Sequence, residues 1–244
     1  ASVIPVSTVM YGGTGTPGLT YGIVVSLGVG ALVGLATGLG VRLVRLPPVI
    51  ATLVTYIFLQ GLALVARPTP KGYIDASSTR LLQSKVGLLP VVAIIVIVLV
   101  VAFEWTLRRS RTGVELRAVG SDEARARRVG ARVGGTVVVA HVVCSVLTAC
   151  AGIVLTSLVG VGQAGLATEY TLTSIAAVVL AGASIFGGRG SFVGACIGAL
   201  LIQEIVTSTS FLGLASAWQE WLPGLLILVG AALFSRARGR SSRA

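Results

Sequence analysis

The sequence predicts an all-α fold: a polytopic helical membrane protein with about seven transmembrane helices, two of them forming a short pair interrupted by glycine. Three observations carry this. Of 244 residues, 55% are hydrophobic and 11% charged, with a mean hydropathy of +0.95, whereas soluble domains carry about 25% charge. Apolar stretches recur at the length of about 20 residues that a helix needs to cross about 30 Å of hydrocarbon with every backbone group bonded inside its own segment. The 19 basic residues are distributed unevenly between alternate loops, as cytoplasmic and external loops are in membrane proteins.

Taken in order, spans are expected near Leu19–Val41, Val49–Val65, Leu88–Thr106, Thr136–Val159 and Trp218–Phe234. Thr171–Phe186 and Ser191–Thr207 are apolar but shorter, and Gly187-Gly188-Arg189-Gly190 separates them, which predicts two helices joined by a tight turn. Ala1–Met10 is apolar but too short to span, so N-terminal sequence is expected to be missing from residues 1–244, which read as one transmembrane domain.

Fifteen Lys and Arg fall in one alternating set of loops, including Arg108–Arg132 and Arg236–Arg243, against four in the other, Arg67, Lys71, Arg80 and Lys85. The larger set marks the cytoplasmic side and places the C-terminus there. The net charge of +11 is then a membrane-surface feature, and the bilayer rather than nucleic acid is the expected partner.

Catalysis lacks its parts. His141 is the single histidine, and Asp75 and Asp122 fall on opposite sides of the predicted membrane. Gly182-Ala183-Ser184-Ile185 is similar to the serine motif of intramembrane rhomboid proteases, but no histidine follows Ser184. Lys71 and Lys85 stand outside any phosphate-cradling GxxxxGK[ST] run, so ATP hydrolysis, if it drives this protein, belongs to another chain. Cys144, Cys150 and Cys196 lack CxxC spacing and read as small core residues; no metal or cofactor is expected.

Gly30, Gly34 and Gly38 recur every four residues, as do Gly190, Gly194 and Gly198. Such stripes let helix backbones approach closely in lipid, for static packing or for sliding during transport. Thr52 and Thr55 share a helix face and Gln60 lies further along the same helix, while Gln203 and Glu204 lie deep in another span. The polar side chains serve either interhelical hydrogen bonds or a solute pathway. Glu204, singled out as the carboxylate within the spans, is expected to face an aqueous cavity, a partner or the outer boundary. Trp218 and Trp221 read as interfacial anchors.

The strongest local signal is the loop around Ser121–Gly130. Ser121 is expected to cap a surface helix whose first turn carries Asp122 and Glu123, whose later turn carries Arg125, Arg127 and Arg128, and which Gly130 ends. Glu123 and Arg127 add an i, i+4 pair.

The run "TGVELRAVGSDEARARRVGAR" at 112–132 resembles the cytoplasmic coupling segment of ribose-type permeases of bacterial ABC importers. "PPVIATLVT" at Pro47–Thr55 and "LAGASIFGGRGSFVGACIGALL" at Leu180–Leu201 resemble two more signatures of that family, and the likeness covers nearly the whole chain. Gly120, Ser121, Glu123, Ala126, Arg127 and Gly130 are the coupling residues this implies; Arg125 stands at a usually small position and Arg128 at a usually apolar one. The resemblance implies a permease domain over 1–244, N-terminally truncated, in the bacterial cytoplasmic membrane. It also implies a second permease copy or paralogue, separate ABC ATPase subunits and an extracytoplasmic sugar-binding protein. Thr52, Thr55, Gln60, Ser184 and Gln203 are the candidate pathway residues. The solute expected is a monosaccharide such as ribose or xylose. Branched-chain amino acids, nucleosides or another small solute stay open, as does an ATP-independent secondary transporter.

Overall fold

The computed structural model describes residues 16–44, 47–66, 68–69, 71–73, 84–86, 89–162, 164–165, 167–184, 187–213, 218, 221–222 and 224–225. Eight helices of six or more residues are traced among them: α1 (Thr16–Leu43), α2 (Pro48–Ala66), α3 (Val91–Arg109), α4 (Arg111–Ser121), α5 (Glu123–Arg128), α6 (Val133–Val159), α7 (Glu169–Leu180) and α8 (Phe192–Phe211). Five of these, α1, α2, α3, α6 and α8, are long and apolar enough to cross a membrane, and α7 is apolar but shorter. The chain is therefore a multi-pass membrane protein. Most of the expected span Trp218–Phe234 lies outside the described residues.

Short ladders decorate the loops. β1 (Lys71–Tyr73) pairs antiparallel with β4 (Val161–Gly162), which follows α6 after Gly160 ends that helix at φ 75°. β2 (Lys85–Val86) and β3 (Leu89–Pro90) form a second antiparallel pair just before α3.

The chain divides into two compact units, one drawn from Ala1–Ile97 and Arg132–Thr168 and the other from Val98–Ala131 and Glu169–Ala244. In the first, α1 lies antiparallel against α6. A Cβ on Gly30 would stand 2.9 Å from Ala149 Cβ, one on Gly34 2.6 Å from Val142 Cα, and one on Gly38 2.9 Å from Val138 Cα. The stripe therefore meets backbone or small side chains along its length, the close approach that substitutes for a hydrophobic drive in lipid. One turn on, the Arg42 guanidinium lies over Gly134, where a side chain would collide with it. Ala51, Leu59 and Ala63 make the buried face of α2 at four-residue spacing. Within that spacing the Thr37 hydroxyl on α1 donates to Thr55 Oγ1 at 3.3 Å.

In the second unit, Ala176, Ala177 and Ile202 form a small core between α7 and α8, with Leu180 and Val206 packed against it. α7 ends in a Schellman motif: Gly182, at φ 81°, donates its N–H to Val179 O, and the N–H of Ala183 donates to Val178 O. The outer faces of the spans are apolar and exposed, Ile57 and Phe58 on α2 and Val98 and Val101 on α3 among them. Such surfaces belong to lipid or to neighbouring helices. This corrects the expectation for the cysteines: Cys144 is exposed, and Cys150 and Cys196 are half-buried.

Candidate functional site

Residues 111–128 fold as two helices, α4 and α5. Ser110 opens α4, its Oγ accepting from Gly113 N at 3.0 Å. Gly113 sits so close to the carbonyls of Thr106 and Leu107 that no side chain fits, which makes the α3–α4 corner sharp. Ser121 is the last residue of α4, and its hydroxyl donates back to Ala118 O at 2.9 Å. It is therefore not the cap of the following helix, as the sequence suggests. Asp122 is: its extended backbone (φ −160°) interrupts the helix, its N–H closes α4 on Ala118 O, and its Oδ1 accepts from Arg125 N at 3.0 Å. Both residues are good N-caps, and the structure selects the one a residue later.

α5 then carries the predicted pair, Arg127 Nη2 donating to Glu123 Oε1 at 2.5 Å, with both side chains more than half exposed. Ala126 is the buried residue of α5. Gly130 (φ 82°) ends the helix in a second Schellman motif, its N–H donating to Arg127 O and that of Ala131 to Ala126 O.

Against the elbow between α4 and α5 lies the glycine turn. Gly187 and Gly188 have φ of 91° and 76°, a left-handed backbone that glycine adopts without steric cost. A Cβ on Gly188 would stand 2.8 Å from Ser121 Cα, one on Gly187 2.5 Å from Gly120 O, and one on Gly120 2.9 Å from Gly188 N. Three glycines from two distant motifs thus make one joint of main chain on main chain. Ser184 closes the turn, its N–H donating to Arg189 O and its carbonyl accepting from Gly187 N.

One residue that matters here is passed over by the sequence reading. Glu104, near the end of α3, is 92% buried. Its Oε2 accepts from Phe192 N at 2.7 Å and from Ser191 Oγ at 3.2 Å, and its Oε1 from Arg108 Nε at 2.5 Å. A carboxylate at a helix N-terminus satisfies amides that the helix leaves open and complements its dipole. Ser191 completes the cap by accepting from Gly194 N. Glu104 therefore fastens α3 to the start of α8, beside the rings of Phe103 and Phe192, whose centroids are 5.6 Å apart. Glu204, the carboxylate singled out from sequence, is instead exposed on α8 beside exposed Gln203, which donates to Thr207 Oγ1 at 3.4 Å.

The remaining candidates scatter. In the first unit Thr55 meets Thr37, and Gln60 Nε2 donates to Ala164 O at 3.3 Å. Thr52 is exposed, and its hydroxyl returns to carbonyls of its own helix. Of the second stripe only Gly198 meets backbone hard, at Ala177 O. Gly194 has ordinary contacts with Ala181, and Gly190 precedes the helix with a single neighbour at 3.7 Å.

Residues 5–231 match the family model described as branched-chain amino acid transport system / permease component. The chain is 34% identical over 221 residues to the autoinducer 2 import system permease protein of Enterobacter sp. (strain 638), covering 89% of this chain and 64% of that one. It is 34% identical over 219 residues to a probable ABC transporter permease protein of Sinorhizobium fredii (88% and 66%). With the ribose import permease protein of Escherichia coli (strain K12) it shares 32% over 213 residues (85% and 66%). Over these matches it spans less than two thirds of each relative's length. No solved structure matches it. A family match over nearly all of its length, joined to five apolar spans and an interrupted charged segment packed on a glycine turn, places the chain in the branched-chain amino acid transport system / permease component family.

Proposed function

We propose that this chain is the membrane-spanning part of an ABC importer permease that carries a monosaccharide across the bacterial cytoplasmic membrane. A separate pair of ATPase subunits drives it, a second permease copy or paralogue completes the pathway, and an extracytoplasmic sugar-binding protein delivers the solute. The solutes named for its relatives, ribose and autoinducer 2, are the first to test. The fifteen-to-four basic asymmetry supports a cytoplasmic location for 112–132 and for the C-terminus. Thr55 and Gln60 in the first unit, with Thr52, Ser184 and Gln203, are the pathway residues of this reading.

The observation that carries the proposal is the joint of Gly120 and Ser121 with Gly187 and Gly188. Gly120, Ser121, Glu123, Ala126, Arg127 and Gly130 form the docking segment in this reading, and a push on that segment reaches a membrane-spanning helix, α8, through the glycine turn. Glu123 and Arg127 present exposed charge to the ATPase, while buried Ala126 seats the helix.

Charge reversal at both positions, Glu123→Arg with Arg127→Glu, tests this. The swap keeps an i, i+4 pair, and an exposed pair is worth under about 1 kcal/mol, so the protein should reach the membrane in normal amount. Uptake of labelled ribose or autoinducer 2, and stimulation of ATPase activity by the loaded binding protein in vesicles, should both be lost. Normal uptake with no ATPase co-purifying would transfer the chain to the secondary transporters.

A further inference from the structure

Beside the joint, within the second unit, lies an open groove of about 310 Å³ that the transport reading does not use. Leu107 from the end of α3, Leu116 from α4, and Phe192 and Ala195 from the first turn of α8 make its apolar walls. Arg117 and Arg189 line it too, and among the described residues no carboxylate does. Neither arginine has an ion pair among the described residues: Glu104 is taken by Arg108 and the α8 terminus, Asp122 by Arg125 and Glu123 by Arg127, and Glu115, two residues before Arg117 on α4, pairs with neither.

Two unneutralised guanidiniums beside an apolar trough fit a ligand with an anionic head and a hydrocarbon tail. The spans ending here put the groove at the level where a bilayer presents both. We propose that this groove is a binding site for an anionic phospholipid of the cytoplasmic leaflet, its phosphate held by Arg117 and Arg189 and one acyl chain laid along Leu107, Leu116, Phe192 and Ala195. Guanidinium binds phosphate in two-pronged fashion, and basic pockets at the cytoplasmic ends of spans attract anionic headgroups. Lipid seated there touches both α4 and the start of α8, the two sides of the joint. Only the choice of leaflet rests on the orientation proposed above. Micelles have no leaflets, so failure of the lipid test and failure of the transport test are read separately.

The full-length protein, in micelles containing phosphatidylcholine, is titrated with phosphatidylglycerol of matched acyl chains while thermal unfolding is followed. A ligand that binds only the folded state raises Tm with its concentration, and a rise of about 5 °C is expected here. Arg117→Gln with Arg189→Gln should lose at least half of that rise, whereas Arg128→Gln, outside the groove, should keep it. Ala195→Trp fills the trough without touching either charge and should also lose the rise, which keeps the test decisive if the double variant does not fold. Absence of a rise, its full retention in the double variant or in Ala195→Trp, or an equal rise with inorganic phosphate alone would overturn the proposal, the last by showing a site for free anions.

Discussion

Gly30, Gly34 and Gly38 on α1 and Gly190, Gly194 and Gly198 around the start of α8 share one spacing, yet the first set presses on α6 along its whole length and the second presses on α7 at one point. The difference lies in what stands opposite. α6 offers Val138, Val142, Ser145 and Ala149, a row whose backbone stays level with α1 for three turns. α7 is only 12 residues long and ends at a Schellman turn, so only Gly198 crosses it closely, and Gly190 lies before its own helix begins. A small-residue stripe records that a backbone may approach. The length and straightness of the partner decide for how many turns it does.

The largest effect expected from this comparison is at Gly34, where a Cβ would collide with both Val142 Cα and His141 O. Gly34→Leu should force α1 and α6 apart, costing more than the usual 1–3 kcal/mol of an overpacked core, and should remove the folded protein from a detergent size-exclusion profile. A normal profile would show that the pair can reseat. A smaller and sharper contrast lies within the second stripe. Gly198→Ala meets Ala177 O and should lower Tm by several degrees, about 1–3 kcal/mol, whereas Gly194→Ala finds only contacts of 3.4 Å or more and should change it within about 0.5 kcal/mol. Equal losses at the two positions would mean that α7 follows α8 further than the single crossing indicates.

The smallest effect concerns the elbow. Asp122→Ala removes the bond to Arg125 N, worth about 1 kcal/mol for an N-cap. Local hydrogen exchange should therefore quicken in α5 and not in α4, which has its own cap at Ser110. Faster exchange in both helices would show that they fold as one.

Features governed by neighbours in sequence were legible. Gly130 ends α5 because a helix terminus needs a left-handed residue at a fixed offset, and Glu123 meets Arg127 because four residues make a turn. The four spans from Leu19 to Val159 followed from apolar length alone. α4 was missed because its cap, Ser110, lies among arginines in a stretch without apolar periodicity. The choice of Ser121 over Asp122 was a one-residue error between two equally good caps. Glu104 was invisible for a different reason: its partner, the Phe192 amide, lies 88 residues away, and no local pattern reports such a bond. The contact of Gly120 with Gly188 has the same origin. Each motif was plain by itself, and their meeting was not.

That meeting has a mechanical meaning. Side-chain contacts are compliant: a rotamer turns, a methylene chain bends, and a push is absorbed before it travels. Between Ser121 and Gly188 the facing atoms are main chain and the Ser121 Cβ, which the backbone fixes, so no rotatable group stands in the contact. α8, 20 residues long and so about 30 Å from end to end, is rooted beside that contact and pinned at its first turn by Glu104. A rod held at its root by stiff, short-range contacts behaves as a lever, so an angular change of a few degrees at the elbow becomes a displacement of an ångström or more at the far end, without any charge or solute having moved through the space between.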